Sequence, residues 1–129
     1  MKLQARIEKL DQDQHLVFGF ASVAADSAGN QIVDSQGDTI DIYELERAAY
    51  EYILESGTTG EMHENFGIGK IVESIVFTPE KLSALNLEGK LPLGWWVGFK
   101  ITDEEIWEKI KNGAYKMFSI GCRATRSEI

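Results

Sequence analysis

The stretch that decides the fold is GWWVGFKITDEEIWEKIKNGAYKMFSIGCRAT, residues 94–125. Its first part, residues 94–101, is rich in aromatic and β-branched residues and predicts a β-strand. Alternation along a strand places Trp95, Val97 and Phe99 on one face, which we expect to lie in the core. The stretch therefore starts with a strand that has one buried face.

The same stretch continues into a helix and a second strand. Thr102 and Glu105 have the spacing of a capping box, which predicts a helix over DEEIWEKIKN, and Gly113 is expected to terminate it. Residues 115–125 then predict the last strand of the chain. Ser119 lies in this strand, directly before an Ile-Gly pair.

The other predicted elements follow from hydrophobic periodicity. Residues 3–10 alternate as a strand does, and residues 15–25 read as a second strand that could pair with the first as a hairpin. The strongest helix signal runs over residues 41–56, with Asp41 as N-cap and Gly57 beyond its end. The remaining expectations are a short interrupted strand at 32–40, a hairpin within 60–77 and a helix from Pro79 through Leu85.

This order of elements predicts the fold class. About six strands, two clear helices and no alternation of strand and helix indicate an α+β fold with a mainly antiparallel sheet or partly open barrel. With 129 residues, 43% of them hydrophobic, the chain suits one domain spanning residues 1–129.

Composition narrows the classes of function. The formal net charge of -8 argues against nucleic acid as a main partner, because such a field repels phosphates. The lone Cys122 excludes an intrachain disulfide and a multi-cysteine zinc site, which fits a reducing compartment. No apolar run approaches the roughly 18 residues that cross a bilayer, and the start lacks the apolar core of a signal peptide. We expect a soluble, intracellular domain without membrane contact.

Two histidines could act as a base toward Ser119. His15 opens an apolar strand and is expected to be an exposed polar residue, whereas His63 lies between Glu61 and Glu64, whose carboxylates could raise its pKa and orient its ring. From the residues alone, Ser119 is either a nucleophile or a hydrogen-bonded strand hydroxyl.

Other chemistries have weaker support. The acidic stretch 26–38 lacks the full spacing of a helix-loop-helix calcium loop, and no Gly-x-Ser-x-Gly elbow of an esterase is present. Trp95, Trp96 and Phe99 could form a stacking platform if they were exposed. Cys122 is expected to be a packed small residue rather than the nucleophile.

Several segments together carry a family resemblance that spans nearly the whole chain. The sequence strongly resembles the XkdF-like phage serine proteases, relatives of the prohead proteases and of herpesvirus assemblin, in the segments VFGFASVA, VDSQGDTI, AAYEYI, GEMHENFGIGKIVES, FTPEKL and LPLGWWVGFKITDEEIWEKIKNGAYKMFSIG. The resemblance implies an assemblin-like antiparallel β-barrel flanked by two to three helices. It also implies that His63 is the general base and Ser119 the nucleophile.

The implied activity is that of a prohead protease. Such an enzyme cleaves segments of phage scaffold and major capsid proteins, and often itself, inside an assembling prohead in the host cytoplasm. It needs neither a metal nor another cofactor, and a homodimer is one assembly to expect. The alternative is a catalytically silent capsid-assembly module of the same fold that binds its partner through a sheet edge.

The third catalytic residue stays open at this level. In related proteases it comes from a strand after the serine strand, so it either lies beyond this sequence or is a nearer acid, for which Glu73, Asp38 and Glu128 are candidates. Backbone N–H groups near Gly121 or the Arg123 side chain are candidate donors to the oxyanion.

Overall fold

The computed structural model describes residues 2–33, 37–59 and 70–121. Within them the chain forms strands and helices in the order β1 (Lys2–Arg6), β2 (Lys9–Asp11), β3 (Leu16–Ala25), α1 (Ile42–Thr59), β4 (Lys70–Phe77), α2 (Pro79–Ala84), β5 (Leu93–Lys100), α3 (Glu104–Lys111) and β6 (Met117–Gly121).

A four-stranded antiparallel sheet in the order β2-β3-β5-β4 forms the centre of the fold. Trp95, Val97 and Phe99 of β5 are buried on one face, which confirms the prediction from alternation. In the core they join Leu45 of α1 and Trp107 of α3. Burial of such side chains stabilises the fold by about 1.5–3 kcal/mol each, so β5 contributes a substantial part of the core.

The two N-terminal strands belong to different sheets. β1 pairs with β6 in a separate two-stranded sheet, whereas β2 pairs with β3. The pairing changes at the two residues between the strands, where Ile7 N donates to Lys116 O (2.9 Å) and Glu8 N donates to Phe18 O (2.8 Å). The predicted N-terminal hairpin is therefore correct for β2 and wrong for β1.

Gly19 of β3 permits the two sheets to cross. An ideal Cβ placed on Gly19 would lie 2.0 Å from the carbonyl oxygen of Arg6. That distance is far inside van der Waals contact, so only glycine allows the backbone of β1 to approach β3 this closely. The close approach at Gly19 is thus a crossing of the backbones of β1 and β3.

The sheets do not close into the expected β-barrel. No pairing joins β4 to β6 within residues 2–33, 37–59 and 70–121, and the strands remain in two separate sheets. Instead of another strand, the Lys81 ammonium group meets the outer edge of β4, where it donates to the Val76 carbonyl oxygen (2.9 Å). The α+β class, the antiparallel sheet and three flanking helices are confirmed, and the closed barrel is wrong.

The ends of α1 show what its sequence determines. Asp41 caps the helix as predicted, since its carboxylate accepts from Glu44 N (3.1 Å). The predicted end is wrong, because the helix continues through Gly57 to Thr59. Glycine permits a left-handed helix end but does not require one.

The two shorter helices begin at capping residues, and the sequence predicted the start of α2 but not the cap of α3. Pro79 opens α2 as expected, with Thr78 as its N-cap. The cap of α3 is Asp103, which accepts from Ile106 N (3.0 Å), rather than the predicted Thr102. No helix in these described segments is long and apolar enough to span a bilayer.

Candidate functional site

The candidate nucleophile lies on β6, in the two-stranded sheet. Ser119 is the central residue of β6 and is paired with Gln4 of β1, and Gly121 is the last residue of that strand. The prediction that Ser119 lies on a strand is therefore confirmed. His63 lies outside the described residues, so its contact with Ser119 stays a prediction.

The candidate acids lie on different parts of the fold. Glu73 is exposed on β4, and Asp38 is half-buried in the connection that leads to α1. Glu128 and the candidate oxyanion donor Arg123 lie outside the described residues, as does Cys122. Their assignments stay predictions.

An apolar groove lies between α1 and β4, beside Glu73. Its volume is about 610 Å³, and it is lined by Tyr50, Ile53 and Leu54 of α1 and by residues 71–74 of β4. Hydrophobic periodicity alone does not predict this groove. The feature of the sequence that indicates the groove is Leu54, an apolar residue that lies outside the buried stripe of α1 and is 73% exposed.

A β-bulge shapes the strand side of the groove. The pairing of β4 with β5 passes from Ile71 to Glu73 and skips Val72. Ile71 packs against the core, whereas Val72 is half-exposed at the groove. A bulge redirects one side chain without breaking the rest of the ladder, so Val72 lies at the groove while the strand pairing continues on either side of it.

Ser74, which lines the groove, joins β4 to the core. Its hydroxyl accepts a hydrogen bond from Nε1 of the fully buried Trp95 (2.8 Å). A buried indole N–H without a partner would be costly, so this bond fixes the position of Ser74 relative to the core.

Tyr50, which lines the groove, also belongs to a polar network centred on Lys81. Lys81 Nζ donates to Glu46 Oε2 (2.8 Å) and to the Tyr50 hydroxyl (3.0 Å), in addition to the Val76 carbonyl. The hydrogen bond from Lys81 lowers the pKa of Glu46. Burial alone would lower the pKa of Lys81, but the hydrogen bonds to Glu46 and Tyr50 raise it. Both groups are therefore held in their charged forms.

His15 has a structural position rather than the exposed one expected. Its backbone adopts a φ of 57°, and its ring stacks on Trp107 with a centroid distance of 4.5 Å. Its Nδ1 lies 3.9 Å from Glu104 Oε1. Through these contacts His15 packs the turn before β3 against α3.

Two of the weaker alternatives lose support from the positions of their residues. The Asp26 carboxylate accepts from Ala28 N (3.0 Å) and Asn30 N (2.9 Å), so it stabilises its own turn. Trp95 and Phe99 are buried and cannot form an exposed stacking platform. Within the three described segments, no group of three or more His, Cys, Asp or Glu side chains is close enough to hold a metal ion.

Comparison with known proteins adds evidence over almost the whole chain. The model of the family described as "Putative phage serine protease XkdF" matches residues 4–128. The "Uncharacterized protein YqbD" of Bacillus subtilis (strain 168) is 27% identical over 124 residues, which cover 95% of this chain and 35% of that protein. The chain thus spans about a third of the length of this relative. No solved structure matches this chain.

Proposed function

Because the chain belongs to the XkdF family, we propose that it is a serine endopeptidase of the phage prohead class. Its substrates are segments of scaffold and major capsid proteins, and its own chain, within an assembling prohead in the host cytoplasm. The observation that supports this proposal is the extent of the family match, since residues 4–128 include both Ser119 and His63.

The reaction proceeds through an acyl-enzyme. His63 accepts the hydroxyl proton of Ser119 while the Oγ attacks the peptide carbonyl carbon, so that a C–O bond forms and a tetrahedral oxyanion develops. The C–N bond then breaks, and the protonated His63 gives its proton to the leaving amine. Water attacks the ester with His63 as base, which releases the acid product and restores the Ser119 hydroxyl.

The position of Ser119 suits this role because its backbone is fixed by pairing. Ile120 and Phe118 on either side of it are paired with Leu3 and Ala5, so the strand is held on one side by a continuous ladder. A nucleophile on a regular strand is held more firmly than one on a loop. The donors to the oxyanion are not assigned to residues, and one such donor is worth about 3 kcal/mol of transition-state stabilisation.

The proposal is tested by co-expression with the neighbouring scaffold and capsid proteins. We expect the wild-type chain to shorten at least one of them, as measured by intact mass, and Ser119→Ala and His63→Ala to abolish the shortening. Ser83→Ala is the matched control, because Ser83 is an exposed serine on α2. Equal processing by wild type and Ser119→Ala would remove the protease assignment.

The silent capsid-assembly module remains the second candidate, and the open edge of β4 favours it. Among the described strands β4 is the last of its sheet, and none of them pairs with its outer side, where a partner strand could add. This candidate predicts that the chain co-purifies with a scaffold or capsid protein and that no substrate changes mass.

A further inference from the structure

Exposed apolar side chains gather around the groove between α1 and β4. Tyr50 is 51% exposed, Leu54 73% and Val72 50%, and all three line the same groove. Scattered apolar residues are normal on a protein surface, but a group of them around one concave site is typical of a binding site.

The groove runs beside the outer edge of β4, with which no strand in residues 2–33, 37–59 and 70–121 pairs. Because Lys81 reaches the Val76 carbonyl from outside the sheet, the backbone of Val76 faces away from β5. In an antiparallel ladder this direction alternates, so Ser74, two residues earlier, also directs its N–H and C=O outward. Lys81 satisfies the carbonyl of Val76, whereas Ser74 lies at the groove.

We propose that this groove binds an extended peptide, which adds as a strand to β4 at Ser74 and inserts large apolar side chains at alternate positions between Leu54 and Val72. The volume of about 610 Å³ falls within the range of about 300–1,000 Å³ found for ligand sites and accommodates more than one side chain. Identification of this peptide as a segment of the substrate rests on the proposed function, whereas the binding itself does not.

Charge determines which peptide the groove prefers. Glu73 lies beside the groove and is exposed, and none of the described lysine or arginine side chains forms an ion pair with it. A basic residue between two apolar ones would project to the opposite face of the peptide strand, toward Glu73. A second copy of the chain is disfavoured, because each copy carries a net charge of -8 and its own Glu73 at this edge.

The binding test uses the Ser119→Ala chain, so that a peptide is not cleaved during the measurement. The probe is fluorescein-labelled GSLKLSLSG, which has leucine at alternate positions, and the control peptide GSSSLLLKG has the same composition. Fluorescence anisotropy should show saturable binding of the probe, with at least tenfold weaker binding of the control. Equal affinity for both peptides, or no saturable binding, would overturn the proposal.

Variants then locate the site on the protein. Leu54→Lys should weaken binding at least tenfold, whereas Leu85→Lys should change it less than twofold, since Leu85 is equally apolar and 52% exposed but lies outside the groove. Both variants carry the same added charge, and neither position is buried. Glu73→Gln should weaken binding of the probe about threefold and leave unchanged the binding of GSLQLSLSG, which lacks the lysine.

The outcomes separate this inference from the proposed function. Binding that depends on Leu54, in a chain whose wild-type form processes nothing, supports the groove and contradicts the protease. Processing that Leu54→Lys leaves unchanged, together with no loss of probe binding, supports the protease and contradicts the groove. A dimer in sedimentation that Leu54→Lys dissociates would show that a second copy occupies the groove, and would also contradict the proposal.

Discussion

Replacing Gly19 with alanine should separate the two sheets where they cross. The added Cβ would lie 2.0 Å from Arg6 O and 3.1 Å from Arg6 C. The first distance must increase by about 1 Å or more before it becomes a normal contact. Backbone atoms of β1 and β3 meet here, so no side chain can rotate away to relieve the clash.

The expected loss of stability follows from these contacts. Overpacking typically costs about 1–3 kcal/mol, and opening the crossing also loses the hydrogen bond from Glu8 N to Phe18 O, worth about 1 kcal/mol. Reduced entropy of the unfolded chain offsets about 0.4–1 kcal/mol, which leaves a net loss of about 1–3.5 kcal/mol. For 129 residues the unfolding entropy is roughly 0.27 kcal/mol/K, so Tm should fall by roughly 4–13 °C.

Thermal unfolding and amide hydrogen exchange test this reasoning together. Gly19→Ala should lower Tm and also reduce the protection of the Ile7 and Glu8 amides, which bond across the junction. Gly89→Ala is the control, because Gly89 has a φ of 74° and no atom near its Cβ position, so it carries only the cost of its backbone conformation. A Tm within 2 °C of wild type with unchanged protection at both amides would refute the predicted crossing.

Three further predictions concern individual contacts. Glu46→Gln should lower the free energy of unfolding by up to about 1 kcal/mol at pH 7. Because folding lowers the pKa of Glu46, this difference from wild type should be complete above the ordinary pKa of 4.5 and should shrink as the pH falls below it. A difference that persists at pH 2 in urea titrations would contradict this. Ser74→Ala should cost about 1–3 kcal/mol, because it leaves the buried indole N–H of Trp95 without its partner, and chemical unfolding that matches wild type would count against that bond. His15→Ala should cost more than His15→Asn in thermal unfolding, since both lose the stacking on Trp107 but asparagine tolerates a φ of 57° better, and equal losses would argue against that backbone conformation.

Local signals in the sequence predicted the parts of the fold that depend on neighbouring residues. The alternation around Trp95 gives the buried face of β5, and Asp41 and Pro79 mark the starts of two helices. The predicted cap of α3 differed by one residue because Thr102 and Asp103 can both accept from the first turn, and their intrinsic preferences differ by little.

Contacts between distant segments could not be predicted in the same way. β1 could pair with either β3 or β6 as far as its alternation shows, and the choice depends on the clash-free crossing at Gly19. The groove depends on the bulge at Val72, which becomes visible only when β4 is aligned with β5. For the candidate site, the sequence placed Ser119 on a strand correctly, and its relation to His63 stays a prediction.

The pairing of β1 with β6 also has a consequence for the order of events during synthesis. The partners Lys2 and Gly121 are separated by nearly the whole described sequence, so β1 leaves the ribosome long before the strand that completes its sheet. Domains form as their segments are translated, and contacts between such distant segments form late. A nascent chain that stops before β6 therefore has the central sheet available but lacks the paired strand on which Ser119 lies.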